Sequence, residues 1–118
     1  PLEKVKPWNA NGVKGVYNFL NRVFRFFMDK NNYTDGNEDA SNIKELHKLI
    51  KKVTEDIDEM RFNTAISQMM IFVNHVYKTG KVTKATAEQF ALVISPFAPH
   101  LGEELWAFLG HNKSLAYE

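Results

Sequence analysis

The sequence predicts an all-α protein, an antiparallel bundle of about five helices, and three observations carry that prediction. Apolar residues recur at intervals of three and four through most of the chain, the period of helices with one buried side. Capping and helix-ending residues separate those stretches, and no segment alternates apolar and polar residues as a half-buried strand would. Hydrophobic residues make up 44% of the 118 positions and aromatic ones 13%, enough for one domain with its own core.

Residues 1–10 are expected to be an extended lead-in, because Pro7 disfavours helix at Lys6; Trp8 is the only anchor there. A first helix then runs from about Asn11 to about Asp29, with an apolar stripe of Val13, Val16/Tyr17, Leu20, Val23/Phe24 and Phe27. At ~100° per residue, Lys14, Asn18, Asn21, Arg22 and Arg25 gather opposite that stripe. Phe19 and Phe26 fall on a third sector. Either another helix of the domain or a part of a longer protein covers them.

Residues 30–40 are dense in Asn, Asp and Gly and read as a loop contributing little to the core. Ser41 or Asp39 caps a second helix, whose Ile43, Leu46, Ile50, Val53, Ile57 and Met60 form a seam for lengthwise packing. Bundle core is the reading of that seam, since fewer than the ~3–4 heptads of a coiled coil are present. Lys44, Lys48, Lys51 and Lys52 fill the first half of this helix, and Glu55, Asp56, Asp58 and Glu59 crowd its end. That order opposes the helix dipole. Pairs such as Lys51–Glu55 and Lys52–Asp56 recover only a few tenths of a kcal/mol, so some acids are expected to meet cations on neighbouring helices. A hairpin of helices 1 and 2 would bring Lys14 near Asp56.

Asn63 is the expected cap of a third helix that turns Ala65/Ile66, Met69, Phe72/Val73 and Val76 inward and ends at Thr79-Gly80. A second hairpin follows. Helix 4 starts at Thr83 or Thr86 and buries Ala87, Phe90, Ala91 and Ile94 before Pro96. Pro99 opens helix 5, with Glu103 and Glu104 early in it, and Gly110 ends it. The bundle therefore covers 11–110, and 111–118 is expected to be a tail.

Several function classes drop out. No run approaches the ~18 apolar residues of a membrane span, and the opening segment has no signal-peptide core. A soluble, cytoplasmic protein is expected, and the absence of cysteine fits a reducing compartment. Without an initial methionine, the chain is expected to be a piece of a longer protein. His47, His75, His100 and His111 have no helical partner of metal-binding type, so no metal site is expected. Gly12-x-x-Gly15 is not a phosphate loop, and the acids of helix 2 read as a solvated face rather than an acid/base pair. No catalytic residue or bound cofactor is assigned.

Binding remains. The net charge of +1 hides zones: residues 1–30 hold six basic and two acidic side chains, and 61–84 hold four basic and no acidic ones. The polar side of helix 1, extended by Lys44, Lys48, Lys51 and Lys52, would form a basic surface suited to phosphate backbones, giving position rather than sequence readout. The alternative is a set of ordinary solvated helix faces.

Four blocks carry a family resemblance. They are Pro7-Trp8 with Gly12-Val-Lys-Gly15 through Arg25; Leu46-His47-Lys48 through Ile57; Arg61-Phe62-Asn63-Thr64-Ala65-Ile66 through Met70; and Pro96-Phe97-Ala98-Pro99-His100 through Trp106. Together they resemble the α-helical anticodon-binding domain of class I aminoacyl-tRNA synthetases, and within it the bacterial-type leucyl enzymes. The resemblance implies a parent that joins leucine to tRNA(Leu) using ATP and Mg2+, through a leucyl-adenylate. Its catalytic domain, with HIGH and KMSKS motifs, would lie upstream in the same chain; neither motif occurs here. The bundle would contact the tRNA body rather than anticodon bases, through Lys14, Asn18, Asn21, Arg22, Arg25, Lys48 and Lys51, with Arg22 and Arg25 leading. Trp8, Phe19 and Phe26 would meet the catalytic domain, and a monomer is the expected state. His47 and His100 would cap or pack. The corresponding domains of valyl, isoleucyl or methionyl enzymes, and a helical protein-interaction module without an RNA role, are the alternatives.

Overall fold

The computed structural model describes residues 10–58 and 62–117. Within them run five α-helices, α1 (Ala10–Phe27), α2 (Ala40–Asp58), α3 (Phe62–Thr79), α4 (Lys84–Ile94) and α5 (Pro99–Phe108), with single 3₁₀ turns at Lys30–Asn32 and Leu115–Tyr117. The all-α architecture is the one the hydrophobic period predicts.

The helices form a ring. α2 and α3 pair lengthwise, α2 also meets α4, α4 meets α5, α5 meets α1, and α1 closes back onto α3. The tightest pairing is the hairpin of α2 with α3, and α4 still meets α3 through the stacked rings of Phe90 and Phe72. Only three residues separate α2 from α3, and a short link forces antiparallel neighbours. The segment between α1 and α2 is longer and imposes no such pairing, so Lys14 is not carried along α2; the Asp56 side chain lies outside the described residues. After α3 the chain is drawn aside by two hydrogen bonds: Val82 N–H donates to the Asn32 carbonyl and Thr34 N–H to the Val82 carbonyl, each at 2.9 Å. α4 then packs against α2 and α5, and its Phe90 ring reaches Phe72 of α3.

The core centres on Phe90, whose ring stacks with Phe27 at 4.8 Å and Phe72 at 5.3 Å between centroids. α3 buries Ala65, Met69, Phe72, Val73 and Val76, and α4 buries Ala87, Phe90, Ala91 and Ile94, as their periods predict. α1 departs from its prediction. Its buried side is Phe19, Val23, Phe26 and Phe27, while Val13, Val16, Tyr17 and Phe24 are exposed. Phe19 and Phe26 are thus core residues of this domain and not contacts to another; Phe26 meets the Tyr77 ring of α3 at 5.1 Å. Helix 1 offers two apolar sectors, and α3 takes the phenylalanine-rich one. Trp8, the third residue expected to meet another domain, lies outside the described residues. α2 is rotated too: Asn42, Leu46, Leu49 and Val53 are buried and Ile43 is exposed, because this helix serves α3 and α4 together.

The 30–40 loop, expected to add little, joins the fold through polar groups. Tyr33 Oη donates to the Phe27 carbonyl at 2.7 Å and Asn32 Nδ2 to the Phe26 carbonyl at 2.9 Å, meeting acceptors that the last turn of α1 leaves open. Burial pushes the Tyr33 phenol pKa well up. Asp39, rather than Ser41, caps α2: its carboxylate accepts from the Ser41 N–H at 2.7 Å and from the Ser41 hydroxyl. Asn42, buried, donates to Glu38 Oε2 and the Lys81 carbonyl and accepts from Thr79 Oγ1. Glu38 also accepts from the N–H and hydroxyl of Thr83, and Thr83, not Thr86, is the N-cap of α4.

Three further expectations change or hold. Asn63 lies inside the first turn of α3 rather than at its cap, and its carbonyl accepts from Ser67 Oγ. Gly80 and Gly110 take positive φ, 87° and 99°, as helix-ending glycines do. Residues 111–117, expected to be a tail, fold back on α5. The His111 ring stacks 3.8 Å from Trp106, its Nε2 lies 2.6 Å from Glu88, Leu115 is buried, and Glu103 accepts from the Leu115 N–H. Glu103 thus serves this segment rather than the start of its helix.

Two tests follow from this packing. A Cβ at Gly102 would stand 3.0 Å from the Ser95 backbone, whereas one at Gly15 meets nothing within 4 Å. Gly102→Ala should lower stability despite a helix-propensity gain of about 1 kcal/mol, and Gly15→Ala should raise it by about 0.5–1 kcal/mol, both read by denaturant unfolding. The second concerns Glu38. Burial raises its pKa, but hydrogen bonds from Thr86, Asn42 and Thr83 outweigh this and hold it below the usual carboxylate range. A depressed carboxyl stabilises fully at neutral pH and loses that contribution as pH falls through its folded value. Glu38→Gln should be less stable at pH 7, and the gap should close as pH drops below about 4.

Candidate nucleic-acid interface

The polar side of α1 is intact as a stripe but not as a free cationic surface. Lys14, Asn18 and Arg25 are exposed, whereas Asn21 and Arg22 are half-buried. Arg22 Nη2 donates to Asn74 Oδ1 at 2.7 Å, and its Cζ lies 4.2 Å over the Tyr77 ring. Tyr77 Oη in turn donates to the Arg22 carbonyl at 2.7 Å. A planar guanidinium can stack on an aromatic face while its edge donates in plane. Arg22 therefore clamps α1 to α3, which corrects the expectation that it leads a free phosphate-contacting face. Neither Asn74 nor Tyr77 was singled out from the sequence, because both lie off the inward stripe of α3.

A second basic stripe runs along α2. Lys44, Lys48 and Lys51, spaced four and three residues apart, are all exposed, and exposed His47 lies beside them. Lys48 Nζ is 3.3 Å from Glu45 Oε2, yet its side chain keeps 55% of its exposure. Such a surface pair holds little energy, so the ammonium stays available. Lys52 is half-buried and off this stripe.

The basic positions expected to form one continuous surface lie on two helices, α1 and α2, each of which packs on α3. Between them α3 exposes Asn63, Ser67, Ile71, Asn74 and Lys78 and carries no acidic side chain, so nothing on it offsets the flanking charge. His100, expected like His47 to cap or pack, is exposed at the start of α5; the histidines that engage the fold are His75, at 2.8 Å from Ser41 Oγ, and His111. Among the described residues no three His, Cys, Asp or Glu side chains are grouped to hold a metal ion.

Residues 39–118 match the family described as the anticodon-binding domain of tRNA ligase. The chain belongs to that family. The match opens at Asp39, the cap of α2, so the anticodon-binding family region contains the α2 lysine stripe and all of α3, α4 and α5, while α1 precedes it. Individual relatives include α1 as well. A leucine–tRNA ligase of Chlorobaculum parvum is 48% identical over 98% of this chain and 15% of its own length. One from Leptospira biflexa is 53% identical over 99% of the chain and 14% of its length, and one from Flavobacterium johnsoniae 46% over 98% and 12%. The chain spans about 15% of the length of the first of these curated relatives.

The division of labour among the arginines is open to measurement. Arg22→Ala should cost about 1–2 kcal/mol of unfolding free energy, since it removes a charged hydrogen bond and a ring stack, and Arg22→Lys should recover less than half of it. Arg25→Ala, on the exposed side, should change stability by no more than about 0.5 kcal/mol.

Proposed function

We propose that the chain is the tRNA-binding helical bundle of a bacterial-type leucine–tRNA ligase. The observation that carries this is the identity of 46–53% to proteins named leucine–tRNA ligase across nearly all of its residues. The parent attaches leucine to tRNA(Leu) with ATP, through a leucyl-adenylate formed in a catalytic domain elsewhere in the longer chain, where ATP and Mg2+ are used. The bundle itself holds the tRNA body and performs no bond chemistry. A cytoplasmic monomer is the expected form; among the described residues no helix is long and apolar enough to cross a membrane.

The α2 stripe of Lys44, Lys48 and Lys51 supplies the main phosphate contacts. At 1.5 Å rise per residue it extends about 10 Å, and lysines on a rigid helix neutralise phosphates without reading bases. Lys14, Asn18, Asn21 and Arg25 on α1 supply a second set, and the guanidinium N–H groups of Arg22 not turned to Asn74 border it. RNA held this way is positioned, with its acceptor end placed by the catalytic part.

Two measurements on the full-length ligase test the reading. ATP–pyrophosphate exchange should depend on leucine; dependence on valine, isoleucine or methionine would assign the bundle to a sister enzyme. Lys44→Ala/Lys48→Ala/Lys51→Ala should weaken tRNA binding and flatten the plot of log affinity against log salt by about 2–3 units, near 0.7–0.9 for each phosphate that is no longer neutralised. An unchanged slope would remove α2 from the interface, and indifference of the wild-type bundle to tRNA and salt would replace the RNA role with protein interaction.

A further inference from the structure

The polar side of α1 has an apolar counterpart that the bundle does not use. Val13, Val16, Tyr17 and Phe24 are 49%, 44%, 64% and 43% exposed, half of the large hydrophobic side chains exposed among the described residues. At ~100° per residue, Val13, Tyr17, half-buried Leu20 and Phe24 fall on one line, roughly a quarter turn from the buried arc of Phe19, Val23, Phe26 and Phe27. Lys14, Asn18, Arg22 and Arg25 fill the arc between that open line and the far edge of the buried one, Lys14 nearest Tyr17 and Arg22 nearest Phe26. α1 therefore carries three longitudinal strips, one polar, one buried and one apolar and open.

The opening turns of α1 are also the least supported part of the bundle. Every residue from 13 to 18 is exposed, so this stretch is helical without tertiary burial. A helix of two turns alone is marginal in water. A partner surface there would add tertiary support to these turns.

We propose that this apolar strip is the seat of the bundle on the part of the ligase chain that leads into α1. The inference rests on reading the chain as one domain of a longer ligase. Length favours that occupant: the relatives are several times longer than this chain, which spans 12–15% of them, and the strip begins at the end of the bundle where the chain enters it. Size favours it as well. Four such side chains about half exposed offer on the order of 400 Å², about half of what each partner gives to a standard intermolecular interface. A covalently joined domain needs less area, because the link holds its partner at millimolar effective concentration. The expected partner surface is correspondingly apolar, with room for the Tyr17 ring and a polar rim for its hydroxyl.

Thiol accessibility in the full-length ligase, read peptide by peptide by mass spectrometry without tRNA, tests the seat. Tyr17→Cys should be alkylated at least tenfold more slowly than Lys48→Cys, which sits on the exposed α2 stripe, and Val13→Cys should follow Tyr17→Cys. The pair Tyr17→Asp/Phe24→Asp should speed proteolytic release of the bundle and hydrogen exchange in residues 12–18. Equal alkylation of Tyr17→Cys and Lys48→Cys would overturn the proposal. Protection that appears only as concentration rises, together with a dimer in sedimentation, would give the strip to a second copy; protection only on adding tRNA would give it to RNA. Leucine-dependent exchange by the same preparation keeps failure of the seat separate from failure of the ligase reading.

Discussion

Asn42 has no access to solvent, and a buried amide must find its hydrogen bonds inside the protein or cost stability. It finds them in three separate places: the Glu38 carboxylate before α2, Thr79 at the end of α3, and the Lys81 carbonyl in the turn that follows. One side chain therefore sets the start of α2, the end of α3 and the direction of the chain leaving it. With Asn42 inward, helical geometry brings Leu46, Leu49 and Val53 inward after it. Glu38, held by the same amide, reaches Thr83 and so ties in the first turn of α4. The ring of helices is closed by polar contacts at this end and filled by phenylalanine stacking in the middle.

This explains which elements could be read from the chain. α3 and α4 each present one apolar face, and periodicity alone picks it out. α1 and α2 each offer two faces of similar hydrophobicity, and the period cannot choose between them. For α1 the choice was made by α3, which accepts the Phe19/Phe26 side because Tyr77 meets Phe26 and Arg22 together. For α2 it was made by an asparagine, a residue that pattern reading assigns to the surface. The loop at 30–40 looked dispensable because Asn, Asp and Gly favour turns, yet its side chains meet the helix ends and caps that hydrophobicity does not register.

The candidate interface was legible to a different degree. Lys14 and Arg25 are exposed, as the helical wheel of α1 places them, and Lys48 and Lys51 are exposed on α2. The residue pattern did not show that Arg22 is engaged by Asn74 and Tyr77, because those partners lie 52 and 55 residues away. Nor did it show that the two stripes lie on helices that each pack on α3, a fact of topology rather than of residue type. The family blocks, by contrast, span both stripes and were recognisable in order along the chain.

The order of charge along α2 has a consequence for how a polyanion arrives. Lys44 and Lys48 sit in the half nearest the positive end of the helix macrodipole, Lys51 and Lys52 just past its middle, and Glu55 beyond them. Side chains and backbone thus add instead of cancelling, and α2 becomes an electrical needle with a defined head. The arrangement costs the helix some stability, but an approaching chain of phosphates feels a torque as well as a pull before any contact is made.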